Sequence, residues 1–196
     1  MIWIKICGLT TPDGVRAAVH AGADALGFVF HAASPRNVAP ERALELVRDV
    51  PRRVLRVAVT LHPAQSLVDE IVATFRPDAL QTDVDDLERL QLPWALQRLP
   101  VLRSGGPRPA EWPERLLYEG ASSGAGTTAD WDEARALARG CELVLAGGLR
   151  PDNVAAAIAT VRPFGVDVSS GVESEPGRKD PARIVEFVTA ARAAVE

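Results

Sequence analysis

The sequence is poor in residues that could tie it together covalently or through a metal. Only two cysteines occur in 196 residues, Cys7 and Cys141. They lie far apart, without the partners a zinc site would need, and suit a reducing cytosol better than a disulfide scaffold. Histidine is as scarce, with only His20, His31 and His62. A metal-dependent sugar epimerase would need histidines and carboxylates at several strand ends, which three histidines, one of them within a predicted helix, do not supply. Long apolar runs are also missing. The N-terminal stretch from Met1 to Cys7 is interrupted at Lys5 and no small-residue cleavage site follows, so neither a signal peptide nor a membrane span is expected. Basic residues form no run. With 22 Lys and Arg scattered among 26 Asp and Glu, and a formal net charge of −4, the chain lacks the footprint of a nucleic-acid binder.

What is there suffices for one sizeable core. Hydrophobic residues at 47% exclude disorder as the main theme, and nothing in the composition divides the chain, so a single domain over residues 1–196 is expected. Strand-like and helix-like runs alternate from end to end, the pattern of parallel strands joined by crossover helices. Strands are predicted at Ile2 to Cys7, Asp24 to Phe30, Val54 to Thr60, Ala79 to Thr82, Leu99 to Arg103, Arg115 to Glu119, Glu142 to Ala146 and Gly165 to Val168. Helices follow most of them: Pro12 to Ala21, Pro40 to Val50, Gln65 to Phe75, Asp85 to Gln91, Asp130 to Arg139, Pro151 to Val161 and Pro181 to Ala194. Pro107, Pro109 and Pro113 forbid a normal helix after the fifth strand, because each removes a backbone donor and clashes with the preceding turn. The pattern predicts a compact (β/α)₈ TIM barrel with an abbreviated or missing fifth helix. An open doubly-wound sheet would want its glycine fingerprint in the first turn, where this chain has Cys7-Gly8-Leu9-Thr10. Trp94, Trp112 and Trp131 are expected in the core.

Two neighbouring strands near the C-terminus end in small residues. Leu143-Val-Leu-Ala-Gly147-Gly148-Leu149 leads into a helix, and Gly165-Val-Asp167-Val-Ser169-Ser170-Gly171 repeats the design. Free backbone N–H groups at such turns favour an anion, and the last two strands of a barrel are where phosphate sites are found. Gly147, Gly148, Ser169, Ser170 and Gly171 are therefore the expected phosphate cup. On the first strand, Trp3, Lys5 and Cys7 share a face and Ile2, Ile4 and Ile6 the other, which puts Cys7 inside the barrel at its C-terminal mouth. A thiol of ordinary pKa, about 8.5, is barely ionised near neutrality, so catalysis would need a lowered value, which Lys5 one layer below could supply. The residues alone leave open whether Cys7 is a base or a small buried hydrophobe.

The motifs Lys5-Ile-Cys7-Gly8-Leu-Thr10, Gly27-Phe-Val-Phe30 with Ser34-Pro35-Arg36, Asp130-Trp131, Leu145-Ala-Gly-Gly-Leu149 with Asn153, Gly165 to Glu173, and Gly177-Arg-Lys179-Asp180 run in order along the chain and fall at predicted strand ends. Together they resemble the phosphoribosylanthranilate isomerases, (β/α)₈ barrels of tryptophan biosynthesis. The resemblance implies a cofactor-free and metal-free Amadori rearrangement of N-(5-phosphoribosyl)anthranilate, a small-molecule phosphosugar, in the cytoplasm; it leaves protein partners open. It implies that Cys7 is the general base, that Arg36 pairs with the anthranilate carboxylate, and that Asp167 reaches the ribose hydroxyls; Lys5 and Tyr118, read as inward on their strands, are expected beside the substrate. Asn153 is expected to brace its helix.

Departures from the family pattern concern the general acid. The usual Gln-Leu-His-Gly after strand four reads Gln81-Thr82-Asp83-Val84 here, and the usual Leu-Leu-Asp of strand six reads Leu116-Leu117-Tyr118-Glu119. The loop 123–129 keeps glycines but has Thr127 and Ala129 where lysine and phenylalanine are common. Strand alternation taken with Tyr118 in the aspartate's place points Glu119 toward the helices unless the chain bends at Gly120. Asp83 is then the first candidate for the acid, Glu119 the second and Tyr118 the third. The alternative function is a catalytically weakened phosphosugar-binding barrel that lacks the strand-six acid.

Overall fold

The computed structural model describes residues 1–106, 108–109, 111–120 and 129–195. Eight parallel strands close into a barrel in chain order: β1 (Trp3–Cys7), β2 (Ala25–Val29), β3 (Leu55–Val59), β4 (Ala79–Asp83), β5 (Gln97–Arg103), β6 (Arg115–Glu119), β7 (Glu142–Leu145) and β8 (Gly165–Val168). Around them lie α1 (Pro12–Ala21), α2 (Pro40–Leu46), α3 (Gln65–Thr74), α4 (Val84–Arg89), α5 (Trp131–Leu137), α6 (Val154–Val161) and α7 (Pro181–Ala193). A two-stranded hairpin, β9 (Glu173–Glu175) and β10 (Arg178–Lys179), precedes α7. This is the TIM barrel expected from the alternation of strands and helices.

Helix starts follow local chemistry. Thr11 accepts from the Gly14 N–H and precedes Pro12, while Asp130 and Asp180 cap α5 and α7 through their carboxylates. Between β5 and β6 no helix forms among the described residues, as the prolines predict. One expectation is corrected: Trp94, in the connection from α4 to β5, is 97% exposed and Trp112, in the helix-free connection from β5 to β6, 46% exposed, whereas Trp131 packs at the edge of the main core.

Most of the hydrophobic core lies between strands and helices, where Ile2, Ile4, Ile6, Leu116 and Tyr118 pack outward. The barrel interior holds smaller clusters: Leu99, Val101, Leu117, Val144 and Ala146 on one side, Ala25, Val57 and Ala79 on the other. Alternation then aims every second residue of each strand into the mouth. On β6 the inward residues are Leu117 and Glu119, so Tyr118 faces the helices, opposite to the expected phase. A strand's period is two, and placing Tyr118 in the aspartate's position slipped the reading by one residue, which exchanges the two faces.

Candidate active site

A cavity of about 650 Å³ opens at the C-terminal end of the barrel. Its wall includes Cys7 from β1, Arg36 from the loop after β2, Gln81 from β4, Arg103 from β5, Glu119 from β6, and Ser169 and Ser170 after β8. A hollow of about 770 Å³ lies around the opposite, N-terminal end, near Trp3, Val57 and Arg115 and the helix-free stretch after β5, and includes neither Cys7 nor Glu119. Chemistry therefore belongs to the C-terminal cavity, where residues of different strands converge.

Beneath Cys7, Lys5 is fully buried and its ammonium donates to Asp167 at 2.8 Å. Register dictates that pair, since Lys5 stands directly opposite Asp167 where β1 and β8 meet. Burial alone would strip the Lys5 proton, but the Asp167 charge outweighs it and holds the lysine above its ordinary range. Burial likewise pushes the Cys7 thiol up; Lys5 pulls the other way, Asp167 adds to the rise, and the net direction is upward. The expected lowering by Lys5 is thus corrected: its charge is largely met by Asp167, and desolvation of a thiolate wins. Next to Cys7, Gly27 keeps the space open, because a Cβ there would come within 2.9 Å of the sulfur.

Arg36 is 8% exposed, and its Nε and Nη2 grip Glu173 at 2.7 and 2.8 Å. The same carboxylate receives Lys179 at 2.7 Å. Burial works against the Glu173 charge, but Arg36 and Lys179 hold its carboxyl below the usual range. The guanidinium fork expected to meet a substrate carboxylate is therefore engaged by Glu173, and Nη1 has no partner among the described residues. Glu173 and Lys179 lay inside the recognised motifs without a role; their burial as charged residues is the signal that identifies them.

The two glycine turns meet at Leu149 and Gly171. Gly147 and Gly148 have φ of 86° and 65°, a region costly for other residues. Asn153 braces the turn, accepting from the Arg150 N–H at 2.7 Å and donating to the Gly148 carbonyl at 2.9 Å. Lys179 donates to the Ser169 carbonyl at 2.9 Å and tethers the second turn. Gly171 is required by proximity: a Cβ would stand 1.9 Å from the Leu149 carbonyl oxygen. Gly171→Ala is accordingly expected to force the two turns apart and raise KM for a phosphorylated substrate about tenfold, the equivalent of roughly 1.4 kcal/mol of binding. Steady-state kinetics on the folded variant, with inorganic phosphate as competitor, checks this; an unchanged KM would remove Gly171 from the cup.

The three candidates for the acid separate cleanly. Glu119 is on the cavity wall and receives Arg103 Nη1 at 2.6 Å. Asp83 lies beside the cavity rather than on its wall, held by Arg103 through Nη2 at 2.7 Å and Nε at 3.2 Å. Tyr118 is fully buried on the helix side, donating to Glu133 at 2.6 Å. Burial, and then that hydrogen bond, push its phenol up to about 12. Tyr118 as a substrate contact is thus corrected, because its side chain is on the far side of the barrel wall. Tyr118→Phe is expected to cost about 1–2 kcal/mol of stability, since Glu133 loses a partner, and to leave kcat near the parent value. Thermal melts and kinetics on one preparation test both halves. Residues 123–128 of the loop after β6, including Thr127, lie outside the described residues; Ala129 is buried.

His62, Asp83 and Asp86 bring ligand-type atoms within 4.8 Å of one another. Asp86, however, accepts from Thr82, from His62 and from Arg89, and Asp83 from Arg103, so their lone pairs serve an ion-pair network.

Residues 4–190 match the family model for N-(5′-phosphoribosyl)anthranilate (PRA) isomerase. The isomerase of that name from Trichlorobacter lovleyi is 39% identical over 208 residues, covering 100% of both chains. Phosphoribosyl anthranilate isomerase from Thermus thermophilus superposes with a TM-score of 0.86 at 28% identity, covering 100% of both chains. A phosphoribosyl anthranilate isomerase in complex with reduced 1-(o-carboxyphenylamino)-1-deoxyribulose 5-phosphate gives a TM-score of 0.79 at 29% identity, over 98% of this chain and 100% of that one.

Proposed function

Because the chain belongs to the N-(5′-phosphoribosyl)anthranilate isomerase family, and so is an aldose–ketose isomerase of tryptophan biosynthesis, we propose that Cys7 and Glu119 carry its two proton transfers. The substrate is the phosphosugar N-(5-phosphoribosyl)anthranilate and the product 1-(2-carboxyphenylamino)-1-deoxyribulose 5-phosphate. Protonated Glu119 gives its proton to the furanose ring oxygen as the C1′–oxygen bond breaks and the aniline nitrogen forms an iminium. Cys7, as thiolate, takes the C2′ proton, and the resulting enolamine tautomerises to the ketone. General acid and base in one cavity are each worth about 10²–10⁴-fold.

The observation that supports these roles is that a single cavity joins Cys7, Arg36 and Glu119 with Ser169 and Ser170 of the second turn. Arg36 offers Nη1 to the anthranilate carboxylate. Gly147, Gly148, Ser169, Ser170 and Gly171 receive the 5′-phosphate. Asp167 accepts from ribose hydroxyls while Lys5, opposite it on β1, fixes its orientation. A carboxylate facing inward on β6 removes the ground for a catalytically weakened barrel. We further infer one barrel domain over residues 1–196, supported by strands and helices that run from Trp3 to Ala193, and a cytoplasmic location, supported by the free thiol that catalysis requires. No helix among the described residues is long and apolar enough to cross a membrane. Turnover of the purified chain, lost in Glu119→Gln and kept in Tyr118→Phe, tests the assignment; equal losses in both would overturn it.

A further inference from the structure

Arg103 is a cation shared between two carboxylates at the rim of the cavity. Its Nε and Nη2 face Asp83 and its Nη1 faces Glu119, and all three side chains are only 13–20% exposed. The arrangement follows from register, since Arg103 stands opposite Glu119 where β5 meets β6, and Asp83 ends the strand on its other side. We propose that Arg103 is a positioning residue that governs how readily Glu119 carries the proton it donates, with Asp83 as the counter-charge that prevents Arg103 from locking Glu119 in its ionised form. The proposal rests on Glu119 being the general acid.

Charge balance carries the inference. With Asp83 ionised and Arg103 charged, the triad is neutral when Glu119 holds a proton and negative when it does not. Were residue 83 uncharged, the remaining pair would be neutral only with Glu119 ionised, and the acid would be lost near neutrality. Partial burial keeps these interactions from being screened as they would be at the surface. Geometry adds to it: Nε and Nη2 of Arg103 fork onto Asp83, and Nη1 alone reaches Glu119.

The charged surroundings of Glu119 are limited. On the β4 side, beyond Asp83, come His62 at 3.8 Å from it, then Asp86 and Arg89, which pair with one another. Cys7, with Lys5 and Asp167 beneath, and the Arg36–Glu173–Lys179 group belong to the β1 and β8 side of the mouth. On the outer face of β6, Tyr118 and Glu133, with Arg108 at 3.5 Å, are separated from Glu119 by the strand itself. The segment 121–128 contains no ionisable side chain. Arg103 and Asp83 are therefore the charged groups whose change Glu119 should feel most.

The test is kcat against pH for the parent enzyme, Asp83→Asn, Arg103→Gln and the double variant, with folding checked by circular dichroism. Asp83→Asn should match the parent at the acid end, where Glu119 is protonated in both, and fall about tenfold or more below it as pH rises, the effect of an uncompensated neighbouring charge. Adding Arg103→Gln should restore most of that loss, because the charge acting on Glu119 is removed. A ratio between Asp83→Asn and parent that is flat across pH, or a double variant as displaced as the single one, would overturn the proposal. If Asp83→Asn does not fold, Arg103→Gln decides: its activity relative to the parent should rise with pH, and a falling or constant ratio overturns the idea. Glu119→Gln separates the two levels. Full activity there sinks the acid assignment and this proposal together, whereas collapse of Glu119→Gln beside a flat Asp83→Asn ratio sinks the proposal alone.

Discussion

Cys7→Ser is expected to give a folded barrel whose kcat is lower by about 10²–10⁴-fold, the worth of a positioned base. Serine nearly matches cysteine in size, so the packing around Gly27 and Lys5 persists, while a hydroxyl cannot supply an anion near neutral pH. The thiol is itself a reluctant base, because burial pushes its ionisation upward and Lys5 only partly offsets this. The sign is definite: the thiolate fraction grows as pH rises, and its titration belongs above the ordinary thiol range of about 8.5. Cys7 then works as a minority thiolate, competent because a less acidic thiol is a stronger base once ionised. Thiolate absorbance followed against pH, with Cys7→Ser as blank, reports that titration independently of turnover. A thiolate already complete at pH 7 would contradict the electrostatic account, and near-parental kcat in Cys7→Ser would end the base assignment.

Glu119→Gln is expected to lower kcat by roughly 10²-fold or more, with a smaller change in KM, since the amide can hold the same position yet has no proton to give. Asp83→Asn should do less at acid pH, as the ion-pair geometry requires, and Tyr118→Phe should do almost nothing to kcat. That order reverses the ranking by sequence, in which Asp83 came first. A larger fall for Asp83→Asn than for Glu119→Gln at every pH would restore the original order. Activity regained with a small exogenous carboxylic acid in Glu119→Gln would strengthen the assignment, because it would supply the missing donor and nothing else.

The difference between those rankings comes from one residue of phase. In β1 the alternation was anchored by three isoleucines on one side and a lysine and a cysteine on the other, so its inner face was legible. In β6, Arg115-Leu-Leu-Tyr-Glu119 has no such anchor, because tyrosine and glutamate each fit either face. Contact with Glu133 from α5 on one side and Arg103 from β5 on the other settles it. The role of Arg103 was equally hidden, since a lone arginine at a strand end is ordinarily solvated.

By itself the sequence determined the order of the eight barrel strands and seven helices, the lack of a helix after β5 among the described residues, the position of Cys7 on the inner face and the two glycine turns, but not the β9–β10 hairpin. These follow from periodicity, proline and glycine, which act over a few residues. Tertiary structure alone decided which charges meet. Lys5 finds Asp167 across 162 residues and Arg36 finds Glu173 across 137, through barrel closure and the hairpin that follows it. Whether a buried thiol rises or falls, and which carboxylate can keep a proton, depends on such partners and on the water they exclude, and neither is written in the neighbouring sequence.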